Sequence, residues 1–228
     1  MNVPDPCSFR SVRTADGSFT LRSDALGEQY GSMHGAAQES RHVFIHAGMR
    51  HTTADPLHVR EVGLGTGLNA LLTWIEAERT GRTMRYRALE PFPVAPEGLR
   101  ALDHPAMIGV PERAEGYWRM MEAKDGQRIS LSDRFVFDRS AQRAQELHAD
   151  AAYDLIYFDA FAPAVQPELW TAAVFMRMFN ALRPGAALVT YCAKGEVRRT
   201  LGACGFRIER LPGPPGKKEM LRAIRPAV

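Results

Sequence analysis

Cysteine is scarce in this chain: Cys7, Cys192 and Cys204 are the only three in 228 residues. The number is odd and the spacing is not that of metal ligands or a disulfide framework, so the expectation is reduced thiols in a cytoplasmic protein. Seven histidines are scattered, and His42, His46, His51 and His58 crowd one region without a metal site's ligand pattern, so no metal is expected. No run of about 18 apolar residues exists, which argues against a membrane-spanning helix. The opening MNVPDPCSFR lacks a signal peptide's apolar centre. Repeats, low-complexity tracts and linkers are also missing. The expectation is a single domain over 1–228, with an arm over 1–57 and a core over 58–228.

What is present suits an α/β protein. A hydrophobic content of 45% gives such a length a full core. The organising stretch is His58–Trp74, HVREVGLGTGLNALLTW. An apolar run, Val59 to Leu64, passes through Gly63, Gly65, Thr66 and Gly67 into a helical pattern with Leu68, Leu71, Leu72 and Ile75 on one face. That is strand, glycine turn and helix, the opening unit of a mostly parallel, doubly wound sheet. The helix N-terminus behind the turn, beginning near Asn69, offers unpaired N–H groups to an anionic or carboxylate group. A dinucleotide fingerprint needs glycine at position 68, which is leucine. The observed pattern places Glu61 two residues before the first glycine. In S-adenosylmethionine methyltransferases an acid there holds the methionine ammonium. Glu90 closes the next apolar strand, Met84–Leu89, where a carboxylate accepts ribose hydroxyls. S-adenosylmethionine is therefore preferred over NAD, with an NAD-dependent oxidoreductase kept as the reading from another class.

Along the chain, 9–22 reads as a β-hairpin about Asp16-Gly17, and Ala36–Ala47 as a helix stopped by Gly48. This arm precedes the core and offers Tyr30, Ser32, Glu39 and His42 as cofactor contacts, or as structural residues. Pro96–Leu102 and Pro111–Ala123 read as helices. Arg128–Asp138 suggests two short strands, with Asp138 closing the second beside an adenine amino group, or capping a helix over Ser140–Ala149. Tyr153–Ala160 is a continuous apolar strand of the type buried on both faces. It delivers Asp159 to the carboxyl end of the sheet. A helix over Pro167–Leu182, a stop at Arg183-Pro184-Gly185, a strand over Ala186–Ala193, a helix over Glu196–Ala203 and a final antiparallel pair, Phe206–Leu211 and Glu219–Ile224, complete the pattern. From Arg198 onward eight Lys or Arg face two acids, a basic end that tracks phosphates or forms a solvated face.

The turn after Asp159, Phe161-Ala162-Pro163, has the character of the loops with which amine-directed methyltransferases hold their substrate. An amine is mostly protonated near neutral pH and has no free lone pair until a proton leaves. Asp159 is suited to accept a hydrogen bond from that amine, aim it and take the proton, with Phe161 walling the pocket or stacking on a base. The competing reading is that Asp159 only caps a turn.

Four blocks, EVGLGTGLNALLTW, DAFAPAVQPELWT, YCAKGEVRRTLGACGF and PGPPGKKEMLRA, with the arm's DGSFTL and EQYGSMHGAAQESRHVFI, resemble the tRNA 5-aminomethyl-2-thiouridine methyltransferase family. That family includes the methyltransferase half of the bifunctional enzyme MnmC. The resemblance implies a Rossmann-like methyltransferase fold, an antiparallel C-terminal strand and an N-terminal hairpin and helix arm. It implies S-adenosylmethionine held by Glu61, Gly63, Gly65, Thr66, Gly67, Asn69, Glu90, Asp138 and Tyr30, and methylation of the 5-aminomethyl group on the tRNA wobble uridine, with Asp159 nearest the amine. Phe161, Lys194, Arg198, Arg199, Lys217 and Lys218 are the expected contacts to the tRNA anticodon stem-loop. An FAD-dependent oxidase half is not expected in 228 residues, so a separate enzyme is expected to supply the aminomethyl tRNA. The chain departs from the family at Gly31, Phe137 and Lys194, the last a phosphate contact or a surface lysine. A methyltransferase for small-molecule amines and an inactive tRNA-binding relative are the alternatives.

Overall fold

The computed structural model describes residues 9–23 and 27–227; Cys7 and part of the loop after the hairpin lie outside them. In the arm, β1 (Phe9–Arg13) and β2 (Phe19–Ser23) pair antiparallel with Arg13 opposite Phe19. Gly17 turns the chain at φ 83. The Asp16 carboxylate fixes the turn by accepting from the Ser18 N–H at 3.0 Å and from the Thr14 and Ser18 hydroxyls. A short β3 (Glu28–Gln29) adds a third strand that the hairpin pattern does not announce. The expected first helix is two pieces: α1 (Ala36–Ser40) winds into a π-helical turn over Arg41–His46. Gly48 follows it at φ −95, so it is not a left-handed cap. It is small because a Cβ there would press on the Phe44 carbonyl at 2.5 Å.

The core strands are β4 (Leu57–Val62), β5 (Met84–Leu89), β6 (Arg128–Ser130), β7 (Phe135–Ser140), β8 (Tyr153–Phe158), β9 (Leu182–Thr190), β10 (Arg207–Pro212) and β11 (Glu219–Ile224). They form one sheet in the order β10-β11-β9-β8-β4-β5-β7-β6. The five from β9 to β7 in that order run parallel, while β6, β11 and β10 are antiparallel to their neighbours. Helices cover both faces. On one, α2 (Leu68–Thr80) and α5 (Ala114–Met121) bury Leu71, Trp74, Tyr117 and Met120 against Tyr86, Phe135 and Phe137. On the other, α6 (Ala172–Ala181) and α7 (Gly195–Ala203) bury Phe175, Met178 and Leu201 against Ile156 and Phe158. Each such side chain taken from water contributes about 1.5–3 kcal/mol. Two dry faces explain why β8 reads as unbroken apolar sequence. The charged intruder on β4, Arg60, lies over the Tyr153 ring and donates to its hydroxyl.

Several boundaries differ from the sequence pattern. Between β5 and α5, α3 (Pro96–Arg100) is joined by α4 (His104–Met107), capped by the Asp103 carboxylate. β7 runs two residues past Asp138 because Ala88 and Leu89 pair with Arg139 and Ser140. The helix expected over Ser140–Ala149 is a single 3-10 turn, Ala144–Glu146. Pro167 starts a 3-10 turn, and α6 begins only after Thr171, whose side chain accepts the Val174 N–H. Arg183-Pro184-Gly185 does not stop a helix but makes an irregularity in β9. There the register shifts between Tyr153 and Leu155, and Gly185 takes φ 82.

Candidate active site

From β4 the chain moves to β5 on one side and later returns to β8 on the other. Such a switch point leaves a crevice beyond the carboxyl ends of the strands. Here it holds a cavity of about 790 Å³, roofed by Thr20, Glu28, Tyr30 and Glu39 of the arm. Gly63, Gly65 and Thr66 of the glycine turn make its floor, while Gly67 is not on its wall. Gly63 has φ 87 and touches β8's end so closely that a Cβ would stand 2.6 Å from the Asp159 carbonyl oxygen. Gly65, φ 51, lets the Tyr30 ring approach, and Gly67, φ 73, begins α2 with Met121 sulfur against it. Only glycine accepts these φ values without strain.

Asn69, in the first turn of α2, joins the two central acids. Its Nδ2 donates to Glu61 Oε1 at 2.9 Å and to Asp159 Oδ2 at 2.8 Å. Glu61 is fully buried and absent from the cavity wall, with Asn69 standing in front of it. Burial pushes its pKa well up, and the Asn69 donor only partly opposes this. Asn69, on the cavity wall, leaves its Oδ1 without a partner within the protein, an acceptor unused at the floor. Asp159 lies deep yet opens on the cavity. Burial and the nearby Glu39 carboxylate raise its pKa to about 7, while Asn69 and the Lys217 ammonium pull it down. A carboxylate so poised exchanges a proton near neutral pH.

Glu90, just past β5, accepts the Gly65 N–H at 2.9 Å and the Phe92 N–H at 3.0 Å, one on each oxygen. Each oxygen keeps a second lone pair for a ligand hydroxyl. Burial raises its pKa and these N–H bonds oppose the rise. Tyr30 stands edge-on to Phe161 at 5.0 Å. Burial and the adjacent Glu90 raise its hydroxyl's pKa to about 12. Phe161 is fixed at both ends of its peptide: its N–H donates to Gln166 and its carbonyl accepts from Trp170 Nε1. Thr66 bonds His104 Nε2 at 2.9 Å and its carbonyl takes the Tyr117 hydroxyl at 2.8 Å. His104 is wholly buried, which lowers its pKa to about 4, so it stays neutral.

Asp138 is not brought to the cavity. It sits inside β7, and its carboxylate is paired with Arg87 Nε at 3.0 Å. The strand's continuation carries Arg143, Ala144 and Gln145 to the cavity edge instead. Lys194, Arg198, Arg199 and Lys218 are likewise outside it, Lys194, Arg199 and Lys218 on the exposed surface. Lys217 is inside, its ammonium 2.7 Å from Glu39 Oε2 and 3.9 Å from the centre of the Tyr191 ring. Sequence reasoning missed His104, Arg143, Gln166 and Tyr191 on the wall. His104 and Arg143 sit in segments with no motif, though the strand end before Arg143 offered a signal, while Gln166 and Tyr191 lie inside the DAFAPAVQPELWT and YCAKGEVRRTLGACGF blocks without a role assigned to them. Among the described residues no group of three or more His, Cys, Asp or Glu is placed to hold a metal, and no helix is long and apolar enough to cross a membrane.

The model of a family of S-adenosyl-L-methionine-dependent methyltransferases matches residues 111–226, just over half of the chain. The chain belongs to that family. The methyltransferase is 32% identical over 224 residues to the tRNA 5-methylaminomethyl-2-thiouridine biosynthesis bifunctional protein MnmC of Pseudomonas fluorescens, covering 88% of this chain and 32% of that protein. It spans about a third of the length of the curated relatives it matches. The crystal structure of MNMC2 from Aquifex aeolicus has the same fold, with a TM-score of 0.77 at 22% identity over 99% of this chain and 73% of that one. Spermidine synthase from Thermotoga maritima shares it more distantly, with a TM-score of 0.57 at 14% identity over 95% and 68%. The fold is Rossmann-like and the methyltransferase's cofactor is S-adenosylmethionine. The cavity suits that cofactor: both Glu90 oxygens keep a lone pair for hydroxyls, and the unpartnered Asn69 Oδ1 on the wall matches a cationic amino-acid end.

Proposed function

We propose that this methyltransferase N-methylates the 5-aminomethyl group of the tRNA wobble (2-thio)uridine, giving 5-methylaminomethyl-2-thiouridine. The observation that carries the reading is Asp159: a cavity-facing carboxylate with a pKa of about 7, at the strand end, beside the aromatic wall of Tyr30 and Phe161. The bound cofactor supplies an electrophilic methyl on a sulfonium sulfur. Asp159 accepts a hydrogen bond from the substrate ammonium, takes one proton and leaves the lone pair exposed. Phe161, its peptide held at both ends, flanks the base to which that amine is attached. Asn69 holds Asp159 in place and would offer Oδ1 to the cofactor's ammonium, with the buried Glu61 carboxyl orienting it from behind. Glu90 receives the ribose hydroxyls.

The role of the MnmC relatives in tRNA 5-methylaminomethyl-2-thiouridine biosynthesis supports the substrate. The anticodon stem-loop docks on the face carrying Lys194, Arg198, Arg199 and Lys218, in the cytoplasm, after a separate enzyme has produced the aminomethyl group. Mass spectrometry of wobble nucleosides from cells lacking the gene tests this. Accumulation of 5-aminomethyl-2-thiouridine is expected, and an unchanged nucleoside profile would overturn it.

A further inference from the structure

Lys217 looks, in sequence, like half of a basic pair with Lys218, suited to phosphate. The two side chains are placed differently. Lys218 is exposed. Lys217 turns inward, 31% exposed, onto a Glu39 carboxylate that is only 11% exposed. Its ammonium also lies over the Tyr191 ring, whose hydroxyl donates to the Ala160 carbonyl at 2.9 Å, one residue past Asp159. The pair joins the arm to the β10–β11 loop across 178 positions of sequence. To grip a phosphate, Lys217 would have to abandon a largely buried carboxylate, and an uncompensated buried charge is costly.

Resting on the amine-methylation reading above, we propose that Lys217 is a positioning residue: held by Glu39 and Tyr191, its ammonium neutralises Glu39 and keeps the Asp159 carboxylate ionised for the substrate amine. The groups facing Asp159 make the need plain. Glu61 comes from β4, Glu39 from α1, Tyr86 from β5 and Tyr191 from just past β9. Each is neutral or negative, Asn69 of α2 is a neutral donor, and Lys217 brings positive charge. Glu90 and Glu28 add negative charge at the next remove, acting on Glu61 and Tyr191. Without Lys217, Asp159 would face Glu39 unneutralised. It would then stay protonated to higher pH, unable to take the amine's proton.

Two measurements test this on the full chain. The pH profile of kcat/KM is recorded with tRNA bearing the aminomethyl group, and the Asp159 carboxyl is titrated by carbon-13 NMR, its signal assigned by loss in Asp159→Asn. Lys217→Met should move both the acid limb and the NMR midpoint upward by about one pH unit. Glu39→Gln should move both downward, and Lys217→Arg should stay close to wild type. The salt dependence of tRNA affinity should not change in Lys217→Met. Midpoints that stay in place in Lys217→Met and Glu39→Gln overturn the proposal, as does a flattened salt slope, which would make Lys217 a phosphate contact. If Lys217→Met does not fold, the opposite-signed Glu39→Gln shift carries the test. If the chain does not methylate tRNA at all, the NMR midpoints still decide the role of Lys217, so the two failures are distinguishable.

Discussion

Asp159→Asn keeps the shape and one acceptor oxygen but removes the charge and the basicity. With a positioned acid–base group typically contributing about 10²–10⁴-fold, kcat should fall by that order while S-adenosylmethionine affinity holds. Raising the pH should recover part of the loss, because more of the amine then arrives neutral. The same substitution should stabilise the fold at higher pH. Asp159's pKa is raised from 3.8 to about 7 on folding, so its protonated form stabilises the native state at low pH and that contribution is lost as pH rises through 7. Melting temperatures of mutant and wild type should diverge between pH 4 and pH 8, the mutant being higher at pH 8; no divergence would mean Asp159 titrates normally. Glu90→Ala should weaken cofactor binding by roughly 1.5–3 kcal/mol, the worth of hydrogen bonds to a charged acceptor. Calorimetry checks it, and an unchanged affinity would move the ribose contact elsewhere. Asp159 and Glu90 were legible because each ends an apolar strand, where side chains are delivered to the crevice. Asp138 misled by the same logic: its strand continues because β5 offers two more pairing partners, which one strand's sequence does not show.

At the scale of elements, the glycine turn is the part most sensitive to a single methyl group. In Gly63→Ala the new Cβ would meet the Asp159 carbonyl at 2.6 Å, backbone that cannot swing aside, and φ 87 is strained for alanine. A cost of about 1–3 kcal/mol in denaturant unfolding is expected, with a loss of activity beyond that explained by stability. An alanine variant of wild-type stability and rate would show that β4 and β8 are not so tightly joined. Strand, turn and helix were readable here because periodicity changes from two to 3.6 across the glycines. The helices at 140–149 and 167–171 were not, since pairing to neighbouring strands and the cavity edge overrode local propensity. The Glu39–Lys217 pair was illegible for another reason: nothing local links residues so far apart.

Over the whole molecule, charge has two separate uses. Lys217 serves the site, while Lys194, Arg198, Arg199 and Lys218 lie outside the cavity. Charge reversal at Arg199 and Lys218 should weaken tRNA binding uniformly and reduce the salt slope by about one per lost phosphate contact, with S-adenosylmethionine affinity unchanged. An unaltered slope would place the tRNA on another face. The parallel, two-faced sheet was foreseen from unbroken apolar strands alternating with helices, and so were Tyr30 and Glu39 as the arm's contacts to the site; β3 was not, because it is too short to leave a pattern. The central claim, that an amine on tRNA receives the methyl group beside Asp159, is met most directly by one reaction. The purified chain is incubated with methyl-labelled S-adenosylmethionine and tRNA carrying 5-aminomethyl-2-thiouridine, and the nucleosides are then separated by mass. The account predicts one labelled methyl on the aminomethyl nitrogen with wild type and little with Asp159→Asn. Label elsewhere in the tRNA, or equal transfer by the mutant, would contradict it.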